Sequence, residues 1–197
     1  MLIAPGTLNR REVVSSVLAQ RGDCLVVSGL GSPSYDVHAA GDTEANYYLW
    51  GAMGSAALVG LGLARAQPAR QVLVITGDGE QLMGLGGLAT IGVVRPPNLS
   101  VLVIDNGHFG ETGMQMSHTG LGIDLASVAL ACGFAVARRV RTRAELEELC
   151  IQLRAPTEGP RLFVAAVEAA NLPRSLPLRD AVEVKNRFRR HLGFMPG

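Results

Sequence analysis

Residues 71–110 read QVLVITGDGEQLMGLGGLATIGVVRPPNLSVLVIDNGHFG, and this stretch decides the fold. Gln71 to Thr76 is an aliphatic, β-branched run without polar alternation, as expected of a strand buried on both faces. Leu99 to Ile104 is a second such run. Between them Glu80 to Val94 is apolar over helical length, and Pro96-Pro97 stops it. Strand, helix, strand in this order predicts two neighbouring parallel strands, with Gly77 and Asn106 opening the loops at their carboxyl ends.

The same alternation extends in both directions. Upstream, Asn9 to Arg21 reads as a helix with Val13, Val14, Val17 and Leu18 on one face, and Asp23 to Ser28 as a strand. Gly29 to Asn46 reads as a polar loop, Tyr47 to Trp50 as a short strand, and Gly54 to Ala66 as a small-residue helix ended by Gln67-Pro68. Downstream, Gly107 to Gly122 reads as a glycine-rich loop, Asp124 to Cys132 as a helix, and Phe134 to Arg138 as a strand. Thr142 caps a helix running to Arg154, with Glu145 completing a capping box, and Arg161 to Val167 is the last strand. The fold class is therefore α/β, an open, mostly parallel sheet with helices on both faces.

Bulk composition agrees. The chain has 197 residues, 48% of them hydrophobic and 5% aromatic, so it can bury a largely aliphatic core. A formal net charge of +1 gives no global electrostatic case for nucleic acid. Cys24, Cys132 and Cys150 fit no metal spacing or disulfide framework, which suggests a reducing compartment. No signal peptide or membrane span is read, and a cytoplasmic location is expected. Residues 1–170 are expected to form one domain. Residues 171–197 form a basic tail carrying six Lys/Arg against two acids. The tail reads as a short amphipathic helix docked on the domain or on a partner, with Val182, Phe188 and Leu192 as candidate anchors; a nucleic-acid arm is the lesser alternative.

The chemistry-bearing residues lie at the strand ends. Asp78 stands between two glycines that let the backbone approach a ligand. Amides at the following helix start favour phosphate, which an Asp would repel unless a divalent cation lay between them. Asn106, 28 residues on, sits at the end of the next strand and can offer its side-chain oxygen to the same ion, with the His108 carbonyl as a third ligand. The bland reading of Gly-Asp-Gly is an ordinary turn. Gly-Leu-Gly at 29–31 and Gly-Leu-Gly-Gly at 84–87 invite a dinucleotide reading, but neither completes the G-x-G-x-x-G pattern. Small residues for helix packing explain the second run better.

The segment Gly77 to Gly110 resembles the cofactor motif of thiamine diphosphate-dependent enzymes, which begins GDG and closes on Asn after a similar interval. Trp50-Gly51-Ala52-Met53-Gly54 resembles the segment that, in that family, receives and bends the cofactor. Ser28-Gly29-Leu30-Gly31-Ser32 is similar to a glycine–serine loop of sulfopyruvate and phosphonopyruvate decarboxylases. The resemblance covers Asp23 to Phe134 and is greatest to the sulfopyruvate decarboxylase beta subunit and the C-terminal half of phosphonopyruvate decarboxylase. It implies thiamine diphosphate and Mg2+ as cofactors, with Asp78, Asn106 and His108 as metal ligands. Gly29, Ser32, Gly51, Ala52, Met53, Gly77, Asp78, Gly79, Glu80, Asn106, His108, Phe109 and Gly110 are then the cofactor-binding positions. Gly51 would supply a carbonyl to the aminopyrimidine, and Met53 would be the wedge.

Glu80 departs from the small or hydroxyl residue of many relatives; its carboxylate would disfavour diphosphate, or point to solvent or to the metal's waters. The loop Gly110 to Gln115 departs as well. Glu111 and His108 are the candidate proton-relay groups, His118 a weaker one.

A family member also needs a pyrimidine-binding domain that contributes a glutamate, and the chain leaves no room for one. The resemblance thus implies a separate partner subunit, an oligomer, and a small 2-oxo acid as substrate. Alternatives are a carboligase or oxidoreductase subunit using the same cofactor, and a non-catalytic regulatory or assembly subunit. No Arg or Lys lies between Asp105 and Gly133 to meet an anionic substrate tail. Such groups would sit in the partner, or the substrate differs.

Overall fold

A computed structural model describes residues 6–195. Eight strands and eight α-helices follow one another as α1 (Arg10–Leu18), β1 (Leu25–Ser28), α2 (Ser32–Ala39), β2 (Asn46–Tyr48), α3 (Ala56–Ala66), β3 (Val72–Gly77), α4 (Asp78–Met83), α5 (Leu85–Val94), β4 (Leu99–Asp105), β5 (His108–Phe109), β6 (Gln115–Met116), α6 (Leu125–Ala131), β7 (Val136–Val140), α7 (Arg143–Gln152), β8 (Arg161–Ala166) and α8 (Ala181–His191). Six strands form one sheet in the order β2-β1-β3-β4-β8-β7, and every pairing in it is parallel. The remaining two, β5 and β6, make a small antiparallel hairpin.

Strand alternation divides the core. Leu25, Val27, Val72, Val74, Val101, Val103, Leu162 and Val164 face one side, against α3, α5, α6 and α8. Val26, Leu73, Ile75, Leu102, Ile104, Phe163 and Ala165 face the other, against α1, α2 and α7. With both faces covered, these strands have no solvent side, which is why their sequences carry no polar alternation.

Local chemistry sets the helix starts. The Asn9 side chain accepts from the Arg11 and Glu12 amides, Asp124 accepts from Ala126, and Asp180 accepts from Val182 and Glu183. Thr142 and Glu145 form a reciprocal capping box. Such a cap contributes about 1 kcal/mol.

Three local expectations are corrected. Gly29–Asn46 is not a loop throughout: α2 occupies Ser32–Ala39, with Pro33 preset for the first turn, and its polar Ser34 and Asp36 are buried rather than solvated. Glu80–Val94 is not one helix, because Gly84 caps α4 and starts α5. In the tail, Val182 is 62% exposed, and Val184 with Phe188 is buried instead.

Tyr47 and Phe188 rings pack at 5.5 Å, the Trp50 indole donates to the Leu178 carbonyl at 2.8 Å, and Arg187 forks onto Asp42 at 2.7 and 2.8 Å. The aromatic run at the β2 edge is therefore what receives the C-terminal segment. Several of the tail's cations are committed to this clamp or to local acids, as Arg190 is to Glu183.

Candidate active site

The sheet order reverses between β1 and β3: from β1 the chain moves outward to β2, then returns to the opposite side of β1. Loops leaving the carboxyl ends of β1 and β3 diverge at such a point and leave a crevice. A cleft of about 210 Å3 lies there. Its walls bring together Ser32, Met53, Gly77, Asp78, Gly79, Glu80, Asn106, His108, Phe109, Gly110 and Glu111. Gly29, Gly51 and Ala52 do not line it.

The register pairs Gly77 with Ile104, so Asp78 and Asp105 follow at the ends of neighbouring strands. Asp78 is 3% exposed; its Oδ2 accepts from Ser117 Oγ and, at 3.0 Å, from Thr119 Oγ1. Burial and the charge of Asp105 push its carboxyl up to about 6, partly offset by the two hydroxyls. Asp105 competes for the same Thr119 hydroxyl at 2.7 Å, accepts from the Gly107 amide at 3.1 Å, and pairs with Arg139 at 3.0 Å. Asp78 has no such cation among the described residues. A buried carboxylate beside a second one, without a basic partner, is a place for a positive ion.

Asn106 closes a tight local turn: its Oδ1 accepts from the His108 amide at 2.9 Å, and its carbonyl faces His108 Nδ1 at 2.8 Å. Because a carbonyl only accepts, Nδ1 carries a proton, which makes Nε2 the acceptor nitrogen of the neutral tautomer. The hairpin of β5 and β6 hangs from this turn, with the Ser117 amide bonded to the Gly107 carbonyl at 2.8 Å. Gly79 permits a close approach: a Cβ there would stand 2.7 Å from the Phe109 ring. Among the described residues no three His, Cys, Asp or Glu side chains gather as a metal cluster. The available donors are one carboxylate, one amide oxygen and backbone carbonyls, a hard set suited to Mg2+ completed by phosphate oxygens and water.

Glu80 does not point to solvent. It is 4% exposed, its Oε2 accepts from Thr76 at 2.9 Å, and it packs against Gly29 so closely that any Cβ there would overlap it. Burial pushes its carboxyl up, offset in part by Thr76 and by nearby backbone amides, and Oε1 has no hydrogen-bond partner. Glu111 sits on the 3-10 turn Gly110–Thr112 and is held by Arg174 at 2.9 Å. Met53 is 41% exposed at the cleft edge; His118 is exposed, edge-on to Phe109. Two of the glycines at 84–87 serve packing, since Gly84 abuts the Gly54 carbonyl and Gly87 abuts Leu58, whereas Gly86 faces open space.

Residues 33–165 match the family model of the thiamine pyrophosphate enzyme, C-terminal TPP binding domain. The chain belongs to this family.

Phosphonopyruvate decarboxylase of Streptomyces viridochromogenes is 41% identical over 170 residues, covering 85% of this chain and 42% of the relative. Sulfopyruvate decarboxylase subunit beta of Methanothermobacter thermautotrophicus is 34% identical over 181 residues, covering 92% of this chain and 94% of the relative. This chain thus spans less than half of the first relative and nearly all of the second. Benzoylformate decarboxylase from Polynucleobacter necessarius shares the fold, with a TM-score of 0.67 at 19% identity over 84% of this chain and 34% of that one.

Within this thiamine pyrophosphate-binding domain, sequence reasoning missed Asp105, Ser117 and Thr119, which stand beside the Asp78 carboxylate, and Arg139, which pairs with Asp105. The signal available was a Ser-x-Thr pair in a glycine-rich loop, together with the Asp that directly precedes Asn106.

Proposed function

We propose that this chain is the diphosphate- and Mg2+-binding subunit of a thiamine diphosphate-dependent 2-oxo acid decarboxylase, of the sulfopyruvate or phosphonopyruvate type. The observation that carries the reading is the buried Asp78 carboxylate, without a basic partner, in one cleft with Asn106 and His108. In this reading the Asp78 carboxylate, the Asn106 side-chain oxygen and the His108 carbonyl hold Mg2+. Gly77, Gly79, Phe109, Gly110, Ser32 and the backbone at Gly29 and Glu80 accommodate the diphosphate. The Gly51 carbonyl, Ala52 and Met53 receive the aminopyrimidine end.

The bound cofactor supplies the electron sink for loss of carbon dioxide from the 2-oxo acid. The chain's own groups anchor, exclude water and handle protons. His108 Nε2 is the acceptor left free by the Nδ1 bond. Glu111, tied to Arg174, is the second candidate for proton relay at the cleft mouth.

Residues 1–170 are assigned this binding role and 171–197 the tail. The glutamate that activates the aminopyrimidine is assigned to a separate pyrimidine-binding subunit, in line with the subunit name of the relative that this chain covers almost fully. Met53, Leu58, Met83, Met116 and Leu121, each at least 41% exposed, are apolar surface available to it. Three free cysteines support a reducing, cytoplasmic setting, and among the described residues no helix is long and apolar enough to cross a membrane.

Calorimetry of thiamine diphosphate with Mg2+ on wild type and Asp78→Ala tests the cofactor site. Metal-dependent binding is expected in the first and lost in the second; equal affinities would remove Asp78 from the metal site. Turnover is expected only when the partner is added, and full activity of the purified chain alone contradicts the two-subunit reading.

A further inference from the structure

Beside the cleft lies a side lobe of about 170 Å3, with Arg10, Ser32, Tyr35, Asn171 and Arg174 among its lining residues. Arg10, Ser32, Gly110 and Glu111 border both spaces, whereas Asp78, Gly79 and Asn106 border the main cleft alone. The lobe therefore adjoins the main cleft along these four shared residues, none of which is Asp78 or Asn106.

Its electrostatics are unbalanced. Asp36 is fully buried between two arginines, with Arg10 Nε at 3.4 Å and Arg11 Nε at 3.3 Å. Arg11 also donates to the Pro173 carbonyl at 2.7 Å. Arg10 is 5% exposed, its Nε has no hydrogen-bond partner, and no hydrogen bond joins its guanidinium to any described residue. Arg174 is neutralised by Glu111 at 2.9 Å and lies over the Tyr35 ring at 5.8 Å. Counting Arg10, Arg11 and Arg174 against Asp36 and Glu111 leaves one surplus positive charge, shared by Arg10 and Arg11 about the single Asp36 carboxylate, and of these two arginines Arg10 is the one that borders the lobe.

A buried guanidinium whose Nε lacks a hydrogen bond is costly unless an acceptor arrives, and its planar fork matches an oxyanion. We infer that the lobe is the subsite for a second acidic group on the substrate, a sulfonate, phosphonate or carboxylate at C3 of a three-carbon 2-oxo acid. Arg10 is its buried anchor and Arg174 its rim contact. The inference rests on the decarboxylase reading for the word substrate. It removes the need for the partner to supply the cation that the loop from Asp105 to Gly133 lacks.

The test titrates the full chain, with thiamine diphosphate and Mg2+ present and absent, using phosphonoacetate and sulfoacetate as non-reacting dianions and acetate as the monoanion control. Wild type is expected to prefer the dianions at least about tenfold. Arg10→Met is expected to abolish that preference while cofactor affinity stays within about twofold, and Arg10→Lys to retain part of it. Equal dianion affinity in Arg10→Met and wild type overturns the inference. So does a wild type without preference, and so does an Arg10→Met chain that keeps the preference but loses cofactor affinity, since the arginine would then serve the diphosphate. If Arg10→Met does not fold, Arg10→Lys and Arg174→Met carry the test, and unchanged dianion affinity in both overturns it. A chain that prefers dianions through Arg10 but binds no thiamine diphosphate supports the anion subsite and sinks the cofactor reading, so the two fail separately.

Discussion

Asp78 and Asp105 contend for one proton, that of the Thr119 hydroxyl, which lies 3.0 Å from Asp78 Oδ2 and 2.7 Å from Asp105 Oδ1. A hydroxyl donates once. Arg139 neutralises Asp105 at 3.0 Å, which leaves Asp78 as the carboxyl of the pair without a cationic partner among the described residues. The arrangement holds a strong ligand ready for a cation at a cost in stability.

That cost is measurable. The folded Asp78 carboxyl is pushed up to about 6 from an ordinary 3.8. A raised carboxyl binds its proton more tightly in the folded state, so ionisation destabilises the metal-free fold above pH 6. The penalty is relieved as pH falls from 6 towards 4 and amounts to about 3 kcal/mol at most. Asp78→Asn is expected to stabilise the metal-free chain by about 2 kcal/mol near pH 7.5, the gain vanishing near pH 4, while abolishing Mg2+-dependent cofactor binding. Urea melts at the two pH values check this; a variant no more stable than wild type at pH 7.5 contradicts it.

Arg139 and Arg138 are sequence neighbours with opposite environments. Arg139 is 13% exposed and faces the buried Asp105, whereas Arg138 and its partner Glu148 are each 54% exposed. Arg139→Ala leaves a buried carboxylate unpaired and is expected to cost about 3 kcal/mol. Arg138→Ala is expected to cost less than about 0.5 kcal/mol. Equal losses in chemical denaturation would mean that Asp105 finds another partner or is protonated.

The central strands were legible because they are apolar without alternation and bounded by Gly and Pro, so their parallel direction and the adjacency of β3 and β4 could be read from local sequence, whereas the full strand order could not. α2 was not, since Ser32, Ser34, Asp36 and His38 look like loop residues until Arg10 and Arg11 arrive to pair with Asp36. Asp78 and Asn106 were legible as a spacing. The groups that surround them were not: Thr119 is 41 residues from Asp78, and Arg139 reaches Asp105 from β7, two strands away in the sheet. Arg10 lies still further off in the chain, and only the closed fold shows that it borders the cleft.

Gly84 and Gly86 test whether the break between α4 and α5 is imposed by packing. A Cβ on Gly84 would overlap the Gly54 carbonyl, whereas one on Gly86 would meet nothing within 4 Å. Gly84→Ala forces α3 and α4 apart where the cleft is built, and is expected to cost at least about 2 kcal/mol and to weaken cofactor binding. Gly86→Ala, inside α5 with open space around it, is expected to stabilise by about 0.5–1 kcal/mol. Thermal melts of the pair check this, and the same sign for both would show that helix propensity, not the contact with Gly54, governs the break.

The C-terminal helix offers the last contrast. Phe188 is 6% exposed, packs on Tyr47 and joins the core face of α3 and β1, while Val182, near the start of the same helix, is 62% exposed. Phe188→Ala removes a ring from a filled site and is expected to cost about 3 kcal/mol. Val182→Ala is expected to change stability by no more than about 0.5 kcal/mol. If α8 were a detached arm rather than part of the domain's core, both variants would melt with the wild type, and limited proteolysis would release the helix from folded protein. Docking predicts instead that Phe188→Ala lowers the global transition and exposes the tail to protease in the same step.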